Sequence, residues 1–172
     1  MFKYDPNRKY PKETEMKAVI RFQDCDPLQH LNNAKYFDYF FNAREDQVPK
    51  LYDIEPSEIF IKYKQSWVVY NHQIAYVRAA MMGEWVTLIS RIIWHDKQNV
   101  LVEYVMLNKE KTQLKTVLWT HLRYIDVMKG RSADHPEVIE NYLKAASIEG
   151  FDHTLITFNE RIKQIKDGLI SL

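Results

Sequence analysis

The sequence predicts an α+β fold in which one long helix lies across an antiparallel sheet. Three features carry this prediction: a long helical pattern near the N-terminus, later segments rich in Val, Ile, Trp, Thr and Tyr, and short polar turns between those segments. The chain has 172 residues, of which 46% are apolar, and this suits one domain with a sizeable core.

The first strand is indicated by alternating apolar and polar side chains over residues 15–22. We expect this strand to end near Asp24, because Pro27 lacks the N–H that a central strand needs. The preceding residues, 1–13, are polar and rich in proline, and are predicted to form a loosely held arm.

The long helix is predicted over residues 32–47, which contain no Gly or Pro. Tyr36, Phe40 and Ala43 share one helical face, and neighbouring aromatic residues widen it. Pro49 is predicted to end this helix, since the residue before a proline is biased away from helical backbone.

Most of the sheet is predicted to follow this helix. A short helix is expected first, over 56–63, with a proline in its opening turn. The strands expected next are 68–78, 84–95, 100–108 and 114–126. Two further helices are expected over 133–146 and 157–167.

This order divides the chain into an N-terminal arm (1–13), a main domain (14–136) and a C-terminal helical extension (137–172). The main domain contains the long helix and all the predicted strands. We interpret the extension as a helical cover or an oligomer contact, with a substrate lid as the alternative.

Composition excludes several functions. The four glycines lie too far apart to build a phosphate-cradling loop, and the histidines lack metal-binding spacings, so we expect no cofactor and no metal. The single cysteine, Cys25, excludes an internal disulfide. A net charge of +1 gives no reason to bind nucleic acid, and no apolar run is long enough for a membrane span. Because the chain start also lacks a signal-peptide pattern, we expect a cytoplasmic protein.

The segment DCDPLQHLNN at 24–33 places two carboxylates directly before the predicted long helix. If the first strand persisted, Asp24 and Asp26 would point toward the core, where an unpaired carboxylate is costly. The free N–H groups at a helix N-terminus favour such a charge, and they also stabilise an oxyanion on a bound carbonyl. A carboxylate beside them is placed to attack that carbonyl or to activate water.

The same residues also fit an ordinary turn before a helix. In that interpretation Asp24 and Asp26 form the turn and cap the helix, while His30 and the asparagines are hydrogen-bonding loop residues. Spacing alone leaves both interpretations open. Cys25 has the opposite parity to the two acids, and we expect a packed or surface thiol there rather than a nucleophile.

The segment RFQDCDPLQHLNNAKY at 21–36 resembles the motif D-x-D-x-x-G-H-x-N-N-x-x-Y of the hotdog-fold acyl-CoA thioesterases, in the 4-hydroxybenzoyl-CoA thioesterase branch. Further similarities follow in the family's order: IAYVRAA at 74–80, GE at 83–84, YID at 124–126 and KGR at 129–131. The resemblance covers residues 14–136 and therefore most of the chain.

The resemblance implies a helix wrapped by a curved antiparallel sheet, paired into a homodimer or homotetramer with active sites at the interface. Asp26 matches the catalytic carboxylate, acting as nucleophile or general base, and the backbone N–H of Asn33 matches the oxyanion donor. His30 and Asn32 match positions that shape the loop and contact the thioester or a water. Tyr36 matches a helix tyrosine that lines the acyl pocket or packs under the loop.

Some positions depart from the family pattern or are not fixed by it. Asp24 matches a less consistent acid, which we expect to be structural. Gln29 replaces a glycine, so the loop must turn with a strained Gln29 or by another route. Ala79 replaces a proline, at little expected cost. The candidates for contacts with the coenzyme A phosphates are Arg78, Lys115, Arg123 and Arg131.

The predicted function is hydrolysis of a fatty or aromatic acyl-CoA to the free acid and CoA, with the helix N-terminus as oxyanion hole. Two alternatives remain: a non-catalytic module that binds acyl thioesters or regulates through them, and a hydratase or dehydratase on the same fold. The length of the acyl group, and whether CoA or a carrier protein bears it, stay open.

Overall fold

The computed structural model describes residues 4–170, which form an antiparallel sheet with helices on both faces. The strands are β1 (Thr14–Val19), β2 (Gln65–Tyr76), β3 (Trp85–His95), β4 (Asn99–Asn108), β5 (Leu114–Asp126) and β6 (Arg131–Ser132). The helices are α1 (Tyr36–Tyr52), α2 (Pro56–Tyr63), α3 (Glu137–Ala146) and α4 (Phe158–Ile170). Short 3-10 turns at Phe22–Asp24 and Asn33–Lys35 lie between β1 and α1.

The strands are arranged in the order β1-β3-β4-β5-β2, with β6 beside β5. Irregularities in the pairing of β2, β3 and β4 bend the sheet. The predicted α+β class is confirmed, and α2 and β5 have the predicted bounds. The other predicted elements begin or end within a few residues of their expected positions.

Alternation along β4 explains why both faces of the sheet are covered. Val102 and Tyr104 face α1 and the main core, whereas Leu101 and Val105 face the opposite side. The second helix of the C-terminal extension, α4, packs on that opposite side. Both faces of β4 are consequently shielded from solvent, and the first helix, α3, closes the main core.

The first strand is shorter than predicted, and its alternation of side chains ends before Asp24 and Asp26. β1 ends at Val19, because the backbone of Ile20 instead bonds with Gly83 and Glu84. The chain then makes a 3-10 turn in which the Asp24 N–H donates to the Arg21 carbonyl at 3.1 Å. The orientation of the two carboxylates is therefore set by a turn and not by strand alternation.

The prediction that Pro49 ends the long helix is wrong, since α1 continues to Tyr52. A proline inside a helix removes one backbone hydrogen bond, so tertiary contacts must offset the loss. Tyr52 supplies such a contact, because its ring is 3% exposed and its hydroxyl donates to the Pro11 carbonyl at 3.0 Å. The helix ends at Asp53, which has a left-handed φ of 58°.

The N-terminal arm is packed rather than loosely held over its described residues, 4–13. Tyr10 is buried in the main core, and Arg8 Nη2 donates to the Leu51 carbonyl at 2.9 Å. Lys12 Nζ donates to the Ala145 carbonyl at 2.9 Å, which connects the arm to α3. Residues 1–3 of the predicted arm and 171–172 of the predicted extension lie outside the described residues.

Candidate active site

The segment before α1 folds into a small hairpin that brings Asp26 and His30 together. The N–H of Asp26 donates to the His30 carbonyl at 2.9 Å, and Cys25 forms an antiparallel bridge with Leu31. The N–H of Gln29 donates to the Asp26 carbonyl at 3.0 Å and closes a tight turn. Both arms of this hairpin end beside the start of α1.

Gln29 occupies the left-handed backbone region of this turn, with φ at 64°. The structure thus confirms the strained alternative that the sequence predicted where the resembled family has glycine. Because the Gln29 side chain is exposed, backbone geometry and not packing decides which residues are tolerated there.

Two substitutions measure the cost of this conformation. We expect Gln29→Gly to leave the free energy of unfolding unchanged or to raise it by up to about 1 kcal/mol, since glycine avoids the Cβ clash but loses more chain entropy on folding. Gln29→Val is expected to lower it by about 1–2 kcal/mol, because β-branched residues fit positive φ poorly. Urea unfolding provides the comparison. Equal stability of the two variants would show that the turn is unstrained.

A second loop, residues 79–84, holds the hairpin in position. The N–H of Leu31 donates to the Ala80 carbonyl at 2.8 Å, and the N–H of Met82 donates to the Gln29 carbonyl at 2.9 Å. The two loops therefore form one hydrogen-bonded unit next to the N-terminus of α1.

Lys115 anchors this second loop to β5, which corrects its expected role as a phosphate contact. Its Nζ lies 2.7 Å from Glu84 Oε1 and donates to the Ala79 carbonyl at 3.0 Å. The residue is 4% exposed, so its charge is already paired and covered. The basic candidates that retain some solvent exposure are Arg78, Arg123 and Arg131.

Asp26 presents a partly buried carboxylate at the turn of the hairpin, with 22% of its side chain exposed. Oδ1 accepts a hydrogen bond from the Leu28 N–H at 2.9 Å, and Oδ2 lies 3.0 Å from Nδ1 of His30. These contacts fix the direction of the carboxylate while leaving it accessible. A carboxylate held in this way can act on a carbonyl or accept a proton from water.

A backbone N–H donor, that of Asn33, follows Asp26 in the sequence at the start of the helical region. The Asn32 side chain caps this start by accepting from the Ala34 N–H at 3.0 Å. Asn33 is the first residue of the 3-10 turn, and none of the described groups accepts from its N–H. Tyr76 donates to the Asn33 carbonyl at 2.9 Å and so holds the following peptide group, between Asn33 and Ala34. Asn33 is an exposed residue, so an N–H without a described acceptor is left at the surface beside the hairpin.

Asp24 has a structural environment, as the sequence predicted. Its Oδ2 accepts from the Tyr39 hydroxyl at 3.0 Å, and that hydroxyl in turn accepts from the Arg21 N–H at 2.9 Å. Burial raises the pKa of Tyr39 and the Asp24 charge raises it further, so the hydroxyl remains a donor. Sequence reasoning missed Tyr39, because nothing in the helical pattern indicates a bond back to the loop.

Tyr36 is buried in the first turn of α1 and contacts the second loop. Its side chain is 2% exposed, and its hydroxyl accepts from the Ala80 N–H at 3.3 Å. Its ring contacts Tyr76 edge-on at a centroid distance of 5.1 Å. Tyr36 therefore supports the second loop from the first turn of α1, and its expected role beside the acyl group or under the hairpin stays a prediction.

Cys25 is unsuited to act as a nucleophile. Its Sγ donates to the Arg21 carbonyl at 3.3 Å. Burial raises the pKa of the Cys25 thiol, and the charges of Asp24 and Asp26 raise it further. Because the thiolate is the reactive form, this position disfavours thiol chemistry.

A cavity of about 590 Å³ lies between α1 and the inner face of the sheet. Phe41 and Val48 of α1, Val102 and Tyr104 of β4, and Tyr142 of α3 contribute to its largely apolar wall. The hairpin residues do not line it. Next to Phe41, the rings of Phe37 and Phe41 contact His72 of β2 at centroid distances of 5.1 and 5.8 Å.

Solved structures of several thioesterases share the fold of this chain. The chain resembles a 1,4-dihydroxy-2-naphthoyl-CoA thioesterase from Synechocystis with a TM-score of 0.69 and 14% identity, covering 77% of this chain and 96% of that one. A 12:0-ACP thioesterase from Umbellularia californica gives a TM-score of 0.72 at 14% identity, covering 81% of this chain and 52% of that one. A Thermus thermophilus thioesterase complexed with coenzyme A and Zn gives 0.62 at 23%, covering 76% and 96%.

These similarities confirm the predicted hotdog fold. A model of the thioesterase-like superfamily matches residues 20–143, and the chain belongs to this family. Membership confirms the predicted family and the predicted enzyme class, a thioesterase. No curated protein matches the chain.

Two further properties concern residues 4–170. No group of three or more His, Cys, Asp and Glu side chains in this part of the chain is placed to hold a metal ion. None of the helices found there combines the length and apolarity that crossing a membrane requires.

Proposed function

We propose that this protein hydrolyses an acyl-CoA, with Asp26 acting on the thioester and the Asn33 N–H stabilising the oxyanion. One observation carries the proposal: a partly buried carboxylate, oriented by its own turn, precedes a helix start whose first N–H has no described acceptor. Fixed donors of this kind stabilise the charge that develops on a carbonyl oxygen during acyl transfer.

The reaction exchanges a C–S bond for a C–O bond. In one form, Asp26 removes a proton from water, the resulting hydroxide adds to the carbonyl, and the CoA thiolate leaves and takes up a proton. In the other, Oδ2 of Asp26 attacks the carbonyl and expels the CoA thiolate, which takes up a proton, and water then hydrolyses the mixed anhydride to the free acid and Asp26. Oδ1 accepts from two backbone N–H groups, those of Leu28 at 2.9 Å and His30 at 3.4 Å, whereas Oδ2 faces only the His30 imidazole, so Oδ2 is the oxygen proposed to react.

The cavity is proposed to receive the acyl group. Phe41 follows Asn33 by eight positions in the sequence, which corresponds to about 12 Å along a helix. An acyl group that extends from the hairpin past Phe37 and His72 would therefore reach the apolar wall. This route favours acyl groups that are long enough to cross the aromatic cluster.

A second candidate function is binding without hydrolysis. Both oxygens of Asp26 have partners within the hairpin, Leu28 and His30, which is also what a purely structural turn would require. Tight binding of acyl-CoA without release of free thiol would favour this candidate.

Thiol release from a panel of short, long and aromatic acyl-CoAs tests the reaction class. An enoyl-CoA is included, because a hydratase would change its absorbance without releasing thiol. We expect one free thiol for each thioester consumed. Loss of enoyl absorbance without thiol would support the hydratase alternative and contradict hydrolysis.

The proposed active form is a homodimer or homotetramer joined along β2. Of the two edge strands, β1 carries the exposed charges of Glu15 and Lys17, which discourage pairing with another strand. β2 contains no Asp, Glu, Lys or Arg over its length, and Tyr70 is 58% exposed on it. The edge that lacks charge protection is therefore the one proposed to pair.

Charge at the β2 edge is expected to separate the subunits. A two-fold interface repeats every substitution, so Tyr70→Glu places like charges near each other and is expected to weaken association at least about tenfold. Lys17→Glu on β1 is the matched control and should leave association unchanged. Sedimentation velocity across a dilution series reports both, and a monomeric wild type would contradict the assembly.

A further inference from the structure

The wall of the cavity includes a cation with little compensation. Arg44 of α1 lines the cavity, and its Nη1 donates to the Ser90 hydroxyl at 3.0 Å. Among the described residues, Arg44 forms no ion pair. Arg44 is half-buried, and within the protein the Ser90 hydroxyl satisfies only one of its donors, so the others face solvent or the cavity.

Tyr104 adds a second polar group to the same wall. The residue is 3% exposed, and its ring packs against Phe40 and Phe41 at centroid distances of 5.5 and 5.7 Å. Its hydroxyl makes none of the hydrogen bonds found among the described residues. Burial raises the pKa of Tyr104, the charge of Arg44 acts to lower it, and the charge of Glu45 acts to raise it. Arg44 and Tyr104 share the wall of the cavity.

The two groups together specify the chemistry of a ligand. Arginine offers only donors, and a protonated phenol offers one, so their shared complement is an oxygen that accepts hydrogen bonds. Glu45 and Glu55 also line the cavity, but both are exposed to solvent and neither pairs with Arg44. An apolar cavity with a few converging polar groups is the usual form of a selective small-molecule site.

We propose that Arg44 and Tyr104 select acyl groups that carry an accepting oxygen, as hydroxyl or carboxylate, at the end remote from the thioester. This inference rests on the proposed function, because it takes the cavity as the acyl site. Arg44 follows Asn33 by eleven positions, or about 16 Å along a helix, and its side chain leans back toward the helix N-terminus. The oxygen therefore belongs on a medium-length or longer acyl group.

Three thioesters of one chain length test the inference: dodecanoyl-CoA, 12-hydroxydodecanoyl-CoA and the CoA monothioester of dodecanedioic acid. Calorimetric titration into the Asp26→Asn protein measures binding without turnover. We expect at least one oxygenated thioester to bind about tenfold more tightly than dodecanoyl-CoA, as hydrogen bonds to a charged group allow. Arg44→Met and the near-isosteric Tyr104→Phe, each added to Asp26→Asn, should reduce this preference.

Lys163→Met in the same background, which removes an exposed cation on α4, is the control and should keep the preference. Equal binding of all three thioesters, or a preference that survives both Arg44→Met and Tyr104→Phe, would overturn the inference. Failure of all three to bind would overturn it as well. Thiol release by the wild type is assayed separately, so hydrolysis without oxygen preference refutes the selection and leaves the proposed function standing.

Discussion

Asp26→Asn is expected to reduce the rate of acyl-CoA hydrolysis by a factor of about 10² or more, because it removes the proposed base or nucleophile. The amide oxygen of Asn can still accept from the Leu28 N–H, so the hairpin should keep its shape. The measurement is kcat/KM from thiol release, with circular dichroism and thermal unfolding to verify the fold.

Asp24→Asn is the matched control for this result. Asp24 accepts from the Tyr39 hydroxyl, and an Asn oxygen can do the same, so we expect a much smaller loss of activity. Equal activity of the wild type and Asp26→Asn would contradict the proposed mechanism. A larger loss from Asp24→Asn than from Asp26→Asn would show that Asp24, and not Asp26, acts in the reaction.

Glu103→Gln is expected to lower the free energy of unfolding by about 3–5 kcal/mol, the usual cost of removing one partner of a buried ion pair. Glu103 is 0% exposed in the middle of β4. Its carboxylate accepts from Arg161 Nε of α4 at 2.8 Å and lies 3.0 Å from Arg91 Nε of β3. The substitution leaves Arg161 without its counter-charge and Arg91 with only the more exposed Glu13, at 3.3 Å, and it weakens the attachment of α4.

Urea unfolding at neutral pH measures this loss, and Lys163→Met, a surface substitution on α4, is its control. A change under about 1 kcal/mol in Glu103→Gln would show that the ion cluster contributes little net stability, as some buried pairs do.

The Glu103 carboxylate is also expected to make the free energy of unfolding depend on pH. Burial acts to raise the pKa of Glu103, but hydrogen bonds and charge from Arg161, with the charge of Arg91, outweigh burial and hold the pKa below its usual value. A lowered pKa in the folded state contributes stability above the unfolded pKa, and this stability is lost as the pH falls through the folded value. Glu103→Gln should therefore lose less stability than the wild type on acidification below about pH 4.5.

The sheet could be predicted because its signals are local. The β5 segment follows a polar turn and is rich in β-branched and aromatic residues, and its predicted bounds match the structure. The extent of α1 could not be predicted, because the contact that carries the helix past Pro49 joins Tyr52 to the arm. The end of β1 likewise depends on pairing with Gly83 and Glu84, which are distant in sequence.

The candidate site likewise has features that could be predicted from the sequence and features that could not. The position of the loop before α1 followed from a short motif, and strain at Gln29 was one of the two alternatives that this motif left open, because both arise within ten residues of chain. The cluster around Glu103 could not be foreseen, since it needs strand register and a helix that starts more than fifty residues later. The polar wall formed by Arg44 and Tyr104 exists only once α1 and β4 face each other across the cavity.

The central claim is that the hairpin before α1 is the hydrolytic centre of an acyl-CoA thioesterase. It is tested most directly by following free thiol and remaining acyl-CoA together, in the wild type and in Asp26→Asn, after showing that both proteins bind the thioester. The account predicts one thiol released for each acyl-CoA consumed by the wild type, and release near the uncatalysed rate in the variant despite retained binding. Binding by both proteins without thiol release by either would contradict it.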